Sequence, residues 1–372
     1  MACSLPSRPR LPTSAPLEAL LDADPALCDL LQSRKVQSLQ DLVFLPPWEL
    51  RDWLLVSEDE ATAVLSRAWA ACAPPMATAW DALAAQAHPR VPTPLRALND
   101  VVGGGLSGSF LEVAGPPSAG KTQLCLHLAA LTAAEGGEVF WLDTERTFAP
   151  PRVHELLESI CRSRAPACGG GADPGAAALA ALQRIRARVC LSLQELHTVV
   201  ADLVRRAQQG DGLPALLVVD SVAALARNVG DVGGQMSVLI PQRQRALSSL
   251  ASLLKVLASM PASPAAPAPP GIVVTNQVSG DPTTGGSKVT LGHVWHHAVN
   301  WRLVLSHLPP GDARGHGTKE RAADGRRFLH VEKSPCSAPF TVCCTIGPGG
   351  LAEAAAPGQA QPLPLPPRTG GL

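Results

Sequence analysis

Tyrosine is missing from the 372 residues, and aromatic side chains make up only 3% of them. Stacking on many bases is therefore not an evident theme of this chain. Net charge is missing too: 31 Lys and Arg balance 31 Asp and Glu. No global basic field draws the chain onto nucleic acid, so any such contact must be local. No stretch approaches the ~18 apolar residues of a membrane span. The start, "MACSLPSRPRLP", has early prolines and lacks the apolar core of a secretory signal. Ten cysteines are scattered without a CxxC pair, and only Cys343 and Cys344 are adjacent. Such usage fits reduced thiols in the cytosol or nucleus.

What is present is apolar: 46% of the residues, enough for one large core plus a small domain. Residues 1–16 read as a disordered leader. Residues 17–72 carry apolar side chains at helical spacing, broken by "LPP", and read as a small helical domain. Within it, Ser57 and Glu60 form a capping-box pattern. Residues 73–97 are proline-rich and read as a linker. From there to residue 351, apolar runs such as "SFLEVAG", "EVFWLD", "ARVCLSL", "ALLVVD" and "GIVVTNQ" alternate with helical stretches. Runs of that kind predict parallel strands buried on both faces of a doubly wound α/β sheet. "WRLVLSHL", "RRFLHVEKS" and "FTVCCTIGPGGL" have shorter connections and predict antiparallel strands at the sheet edge. "ACGGGADPG" and "PASPAAPAPP" are low-complexity loops, and residues 352–372 read as a disordered tail.

One segment carries chemistry on its own. "GPPSAGKT", Gly115 to Thr122, fits G-x-x-x-x-G-K-[ST] between an expected strand and an expected helix. Backbone N–H groups of Ser118, Ala119, Gly120, Lys121 and Thr122 would face the phosphates of a nucleotide, with Gly115, Pro116 and Pro117 shaping the turn. Lys121 would sit between the β- and γ-phosphates, and the Thr122 hydroxyl would ligate Mg²⁺. The same chemistry asks for an acid at the end of an apolar strand, and "ALLVVDS" supplies Asp220. Taken alone, an Asp there is more often a turn residue. "WLDTERTF" puts Asp143 and Glu145 at a strand's C-terminal end, where such sheets place ligands. Glu145 is the candidate base for the attacking water, with a solvated glutamate as the plainer reading. In "VVTNQV", Asn276 and Gln277 end another strand, and such an amide could read a γ-phosphate.

Taken in this order, the four elements resemble the RecA-type recombinase family in its eukaryotic branch, across roughly residues 17–351. "VFWLDTERTFAPPRV" resembles the family's D-T-E-G-T-F stretch, "VVTNQV" its T-N-Q motif, and "LGHVWHHAVNWRLVLSHL" followed by "EKSP" its final block. Within the family the likeness is nearest the B-type paralogues, through "CDLLQSRKVQSLQDLVFLPPWEL", "ACAPPMATAW" and "KSPCSAPFTVCCTI". The resemblance implies a RecA-like P-loop ATPase core with a mostly parallel central sheet, using ATP and Mg²⁺. It implies Glu145 as the water-activating glutamate, Gln277 as the γ-phosphate sensor, Arg152 against the adenine and His297 as a γ-phosphate contact. His293, His296 and His297 have the i, i+3, i+4 spacing of a metal site on one helix face, but no nearby Cys or carboxylate completes it. The segments 227–245 and 278–290 become the two DNA-facing loops, with Arg227, Arg243, Arg245 and Lys288 as the candidate contacts.

Departures from the family bear on function. Active recombinases carry Phe-x-x-A in the linker as a plug between subunits, and this chain has Met76 and Ala79 in "MATA". Met is adaptable, so a specific partner could still hold it. Lys333 stands where the family has an acid capping a neighbour's ATP. The N-terminal domain lacks hairpin glycines, and "LLVSEDE" is acidic, so it reads as a protein-docking module. Three readings follow. The first is a DNA-stimulated ATPase subunit of a recombinase-paralogue complex, acting in the nucleus. Its partners would be other paralogues (C-type first), the main strand-exchange recombinase, and single-stranded or branched DNA, with no membrane. The second is a self-polymerising recombinase. The third is a scaffold that binds ATP as structural glue. Met76, Lys333 and the missing glycines favour the first or third, and intact Lys121, Thr122, Glu145 and Asp220 favour the first.

Overall fold

The computed structural model describes residues 25–34, 36, 42, 46–72, 78–80, 90–101, 103–106, 108–164, 173–209, 211–228, 236–260, 268–280, 287–307 and 325–354. The chain forms two compact units, residues 1–87 and 88–372.

The first unit holds helices α1 (Pro25–Ser33), α2 (Pro47–Leu54) and α3 (Glu58–Cys72). Leu31, Leu42, Leu50 and Leu65 are fully buried together. The capping box forms as the sequence predicts. The Ser57 N–H donates to Glu60 Oε2 at 2.9 Å, and the Glu60 N–H donates to Ser57 Oγ at 3.3 Å.

The second unit begins earlier than composition suggests. Val91 exchanges backbone hydrogen bonds with Leu106 at 2.9 and 2.7 Å, and Leu95 is fully buried in the main core. Residues 91–97, read as linker from their prolines, thus belong with the core. Helix α4 (Arg96–Val101) leads to β1 (Phe110–Ala114) and α5 (Lys121–Ala134). Next come β2 (Val139–Asp143), α6 (Pro150–Arg164), α7 (Pro174–Leu182), β3 (Ile185–Val189), α8 (Leu193–Gln208), β4 (Leu216–Asp220), α9 (Val222–Asn228) and α10 (Met236–Ala258). The rest is β5 (Gly271–Thr275), β6 (Val278–Gly280), β7 (Ser287–Val289), α11 (Gly292–Ala298), β8 (Trp301–Ser306), β9 (Arg326–Lys333), β10 (Phe340–Gly347) and β11 (Gly350–Glu353).

Nine strands form one sheet in the order β11-β10-β9-β8-β1-β5-β4-β2-β3. Leu124, Leu128, Val153 and Leu156 cover one face, and Leu196, Val200, Leu250 and Leu254 cover the other. The strands β1, β4 and β5 are buried throughout, as their unbroken apolar runs predict. Two expectations need correction. "ARVCLSL" is no buried strand, because β3 is the outermost in the order and its Arg186, Ala187, Arg188 and Val189 are exposed. Arg186 and Arg188 lie along that rim against Glu138 (3.1 Å) and Glu195 (3.4 Å). Strand β8 is no antiparallel edge either. It pairs parallel with β1 and antiparallel with β9, so the sheet changes direction on its far side.

Candidate nucleotide-binding site

The four central parallel strands β1, β5, β4 and β2 end on one side of the sheet. That side carries Gly115, Asn276–Gln277, Asp220 and Asp143–Glu145. The glycines of the phosphate loop are required by space. A Cβ on Gly115 would stand 2.3 Å from the Leu305 carbonyl oxygen. Gly120 has φ +107, and a Cβ there would meet Ile346 Cδ1 at 2.4 Å. Ser118 also has a positive φ of 61°, a backbone turn of the kind that builds an anion nest at the start of a helix. The Lys121 ammonium donates to the Gly115 and Pro116 carbonyls, each at 2.9 Å. Burial pulls its pKa down, while the Asp220 and Glu145 carboxylates hold it up. Ser118, Gly120, Lys121 and Thr122 border a cavity of about 400 Å³.

Asp220 ends β4 beside the first residues of α5. Thr122 Oγ1 donates to Asp220 Oδ2 at 2.8 Å, and the Thr275 hydroxyl donates to Oδ1. Burial raises the Asp220 pKa, and these two hydrogen bonds counter it. A hydroxyl and a carboxylate side by side, with room left for phosphate oxygens and water, match the sparse protein ligand set of Mg²⁺. The nest with Lys121 fits a triphosphate.

Glu145 is fixed by its neighbours. Asp143 accepts from the N–H groups of Glu145, Thr147 and Phe148 at 3.2, 3.1 and 2.9 Å, setting the turn after β2. Ser221 Oγ then donates to Glu145 Oε1 at 2.9 Å. Gln277 hangs from Asn276, whose Oδ1 accepts the Gln277 N–H at 2.7 Å and the Thr290 hydroxyl at 2.6 Å. Asn276 Nδ2 in turn donates to the fully buried Glu112 at 2.6 Å. The Arg227 guanidinium reaches Gln277 Oε1 and comes within 3.8 Å of Glu145 Oε1.

Arg152, the candidate adenine contact, is tied down by its own chain. It donates to Gln123 Oε1 at 3.0 Å and to the carbonyls of Pro348 and Gly347 at 2.8 and 2.6 Å, and it pairs with Glu155. Sequence reasoning missed Arg327 of β9, which lines the same cavity beside Gln123 and Ile346. Its buried Nε has no hydrogen-bond partner among the described residues. A doubled arginine inside a strand, "GRRF", was the available signal, hidden because strand arginines usually face solvent.

The other candidates gather less closely. His297 is exposed at the last turn of α11, its ring edge-on to His296 at 5.6 Å. Arg243 and Arg245 lie on α10, since that helix starts at Met236, and so they are not in a loop. Lys288 lies on β7, where it pairs with Ser279 of β6, so the segment 278–290 holds a short hairpin. Ala79 is exposed, and Met76 lies outside the described residues. Lys333 is engaged by its own chain. Its ammonium donates to the carbonyls of His296 and Val299, at 2.9 and 2.7 Å, capping the C-terminal end of α11. Among the described residues no group of three or more His, Cys, Asp or Glu could hold a metal.

A phosphate loop after the first strand, an acid ending β4 and polar residues ending β2 and β5 define a P-loop ATPase core of the RecA type. Residues 88–351 match the Rad51 domain, and the chain belongs to the Rad51 family. It is 30% identical over 363 residues to the "DNA repair protein RAD51 homolog 2" of Mus musculus, covering 88% of this chain and 94% of that one. The Homo sapiens protein of the same name is 29% identical over 351 residues, covering 85% and 83%. The "Meiotic recombination protein DMC1 homolog" of Arabidopsis thaliana is 30% identical over 277 residues, covering 71% and 69%. The likeness to the B-type paralogues read from the sequence agrees with these relatives.

Proposed function

We propose that this chain is an ATP-binding, DNA-stimulated ATPase subunit of a recombinase-paralogue complex in the nucleus. It would assist loading of the main strand-exchange recombinase onto single-stranded DNA during recombination repair. Support comes from family membership, from relatives named as DNA repair and recombination proteins, and from one observation above all. Lys121, Thr122, Asp220, Glu145 and Gln277 stand at or beyond the ends of four adjacent parallel strands, on the side of the sheet that carries the phosphate loop.

The residues divide the work as follows. The loop N–H groups and Lys121 hold the β- and γ-phosphates and offset charge that develops as the γ-phosphoryl group leaves. Thr122 and Asp220 would hold Mg²⁺, with Thr275 orienting the carboxylate, and the ion would supply Lewis-acid chemistry at the phosphates. Glu145 orients the attacking water and takes its proton, placed for this by Ser221. The Gln277 amide reads the γ-phosphate, and Arg152 lies against the adenine. Met76 and Ala79 serve a partner, the C-type paralogue first, and basic residues after β4 and β5 meet DNA phosphates. Among the described residues no helix is long and apolar enough to cross a membrane.

The test is steady hydrolysis of ATP by the full chain with its partner, with and without single-stranded DNA. Lys121→Ala should lose binding and turnover, whereas Glu145→Gln should bind ATP and lose turnover. A Glu145→Gln protein that still supports recombinase loading, beside a Lys121→Ala protein that no longer holds its partner, makes the chain an ATP-bound scaffold instead.

A further inference from the structure

Arg227 was expected among the DNA contacts, yet its guanidinium lies between the two groups assigned to water activation and γ-phosphate sensing. It belongs to the last turn of α9, the helix that follows Asp220. Its Nη1 donates to Gln277 Oε1, and its Nη2 lies 3.8 Å from Glu145 Oε1. Glu145 follows β2 and Gln277 follows β5, with β4 between them in the sheet. Arg227 thus spans the strand it follows and links the strand ends on either side.

The chemistry of the contact is directional. Arginine has only donors, so the Gln277 amide must turn its oxygen toward Arg227 and leave its NH₂ for another acceptor. That orientation presents donors to an anionic phosphate oxygen. The same cation attracts the Glu145 carboxylate and competes with the water whose proton that carboxylate would take. The Arg227 side chain is 59% exposed, so the link is weak and an incoming anion can replace it. A nucleic-acid phosphate is the anion such a guanidinium prefers, bidentate and charge-assisted.

We propose that Arg227 is a positioning residue that restrains Glu145 and Gln277 while no nucleic acid is bound, and that a DNA phosphodiester draws it away and frees the carboxylate. This deepens the proposed function and rests on it. One side chain then does two things: it joins the two reactive strand ends at rest and meets the nucleic acid that relieves them.

The experiment compares wild-type full chain with Arg227→Ala and Arg227→Lys, measuring kcat and KM for ATP without DNA and at saturating single-stranded DNA. DNA occupancy is followed separately by anisotropy of a labelled oligonucleotide. Arg227→Ala should raise DNA-free kcat about fivefold with KM unchanged, equal to about 1 kcal/mol at 1.36 kcal/mol per decade. Saturating DNA should then add little. Arg227→Lys, lacking the fork that reaches both partners, should raise the DNA-free rate in part and keep more of the DNA response. An unchanged DNA-free rate overturns the inference, and stimulation lost only because DNA no longer binds makes Arg227 a plain DNA contact. A raised KM makes it part of the nucleotide site and equally overturns it. A wild-type chain that hydrolyses ATP without responding to DNA sinks the DNA-stimulated reading, while the DNA-free rate of Arg227→Ala still judges the restraint.

Discussion

Glu112 of β1 and Arg302 of β8 form an ion pair with a nitrogen–oxygen separation of 2.5 Å inside the sheet, their side chains 0% and 2% exposed. Charges so deeply buried are tolerated only when every polar atom is engaged. Here Glu112 also accepts from Trp295 Nε1 at 2.9 Å and from Asn276 Nδ2 at 2.6 Å, while Arg302 reaches His296. The strand that carries the phosphate loop is thereby joined to α11 and to the residue preceding Gln277. Removing one partner strands the other. Arg302→Met should cost about 3–5 kcal/mol, read as a lower urea midpoint. The paired change Glu112→Gln with Arg302→Met should recover part of that loss, since Gln keeps an acceptor for Asn276 and Trp295. Equal midpoints for the single and double variants would show that the charges are not coupled.

The contact between Thr122 and Asp220 predicts a metal phenotype. Thr122→Ser keeps the hydroxyl and should keep Mg²⁺-dependent stabilisation by ATP. Thr122→Val removes it and leaves Oδ2 of Asp220 short of its donor, so the thermal shift given by Mg²⁺–ATP should collapse. The shift given by ATP with EDTA should change little. Thermal melts at fixed nucleotide concentration decide this, and identical Mg²⁺ responses from the Ser and Val proteins would count against the assignment.

The phosphate loop and the strands β1, β2, β4 and β5 were legible because parallel strands buried over most or all of their length leave unbroken apolar runs and the loop's glycines are sterically forced. The position of Asp220 at the end of β4, and of Glu145 just past β2, was legible because each closes an apolar run. The exposure of β3 was hidden, since "ARVCLSL" looks apolar in sequence while edge position is a property of the strand order. The parallel pairing of β8 was hidden for the same reason. Glu112, Arg302 and Arg327 were passed over, because a charge within a strand gives no sign of facing a buried partner or a cavity. The reach of Arg227 to Gln277 joins residues 50 apart in sequence, and no local pattern announces it.

Arg327 should contribute directly to nucleotide affinity. It lines the cavity with Lys121 and Gln123, and its buried Nε has no partner among the described residues. A charge-assisted hydrogen bond contributes about 1.5–3 kcal/mol, so Arg327→Ala should weaken ATP binding at least tenfold. Arg327→Lys should fall between. Titration with a fluorescent ATP analogue measures this, and an Ala variant binding as tightly as wild type would remove Arg327 from the site.

His127 of α5 predicts an acid sensitivity in the helix that starts at the phosphate loop. The ring is 6% exposed, and its Nδ1 accepts the Leu351 N–H at 3.0 Å. Burial, helped by the Arg152 charge, pushes its pKa from 6.5 to about 4. The folded chain therefore keeps the ring neutral, whereas the unfolded chain takes up a proton below about pH 6.5. Stability from this site is complete above that pH and is lost as pH falls toward about 4. The loss should reach roughly 3 kcal/mol. His127→Asn places an acceptor near the Nδ1 position without a titrating ring. It should lower stability at pH 7.5 through lost packing, yet show a smaller decline in urea midpoint between pH 7 and 4.5. Parallel declines in the two proteins would assign the acid sensitivity to the carboxylates instead.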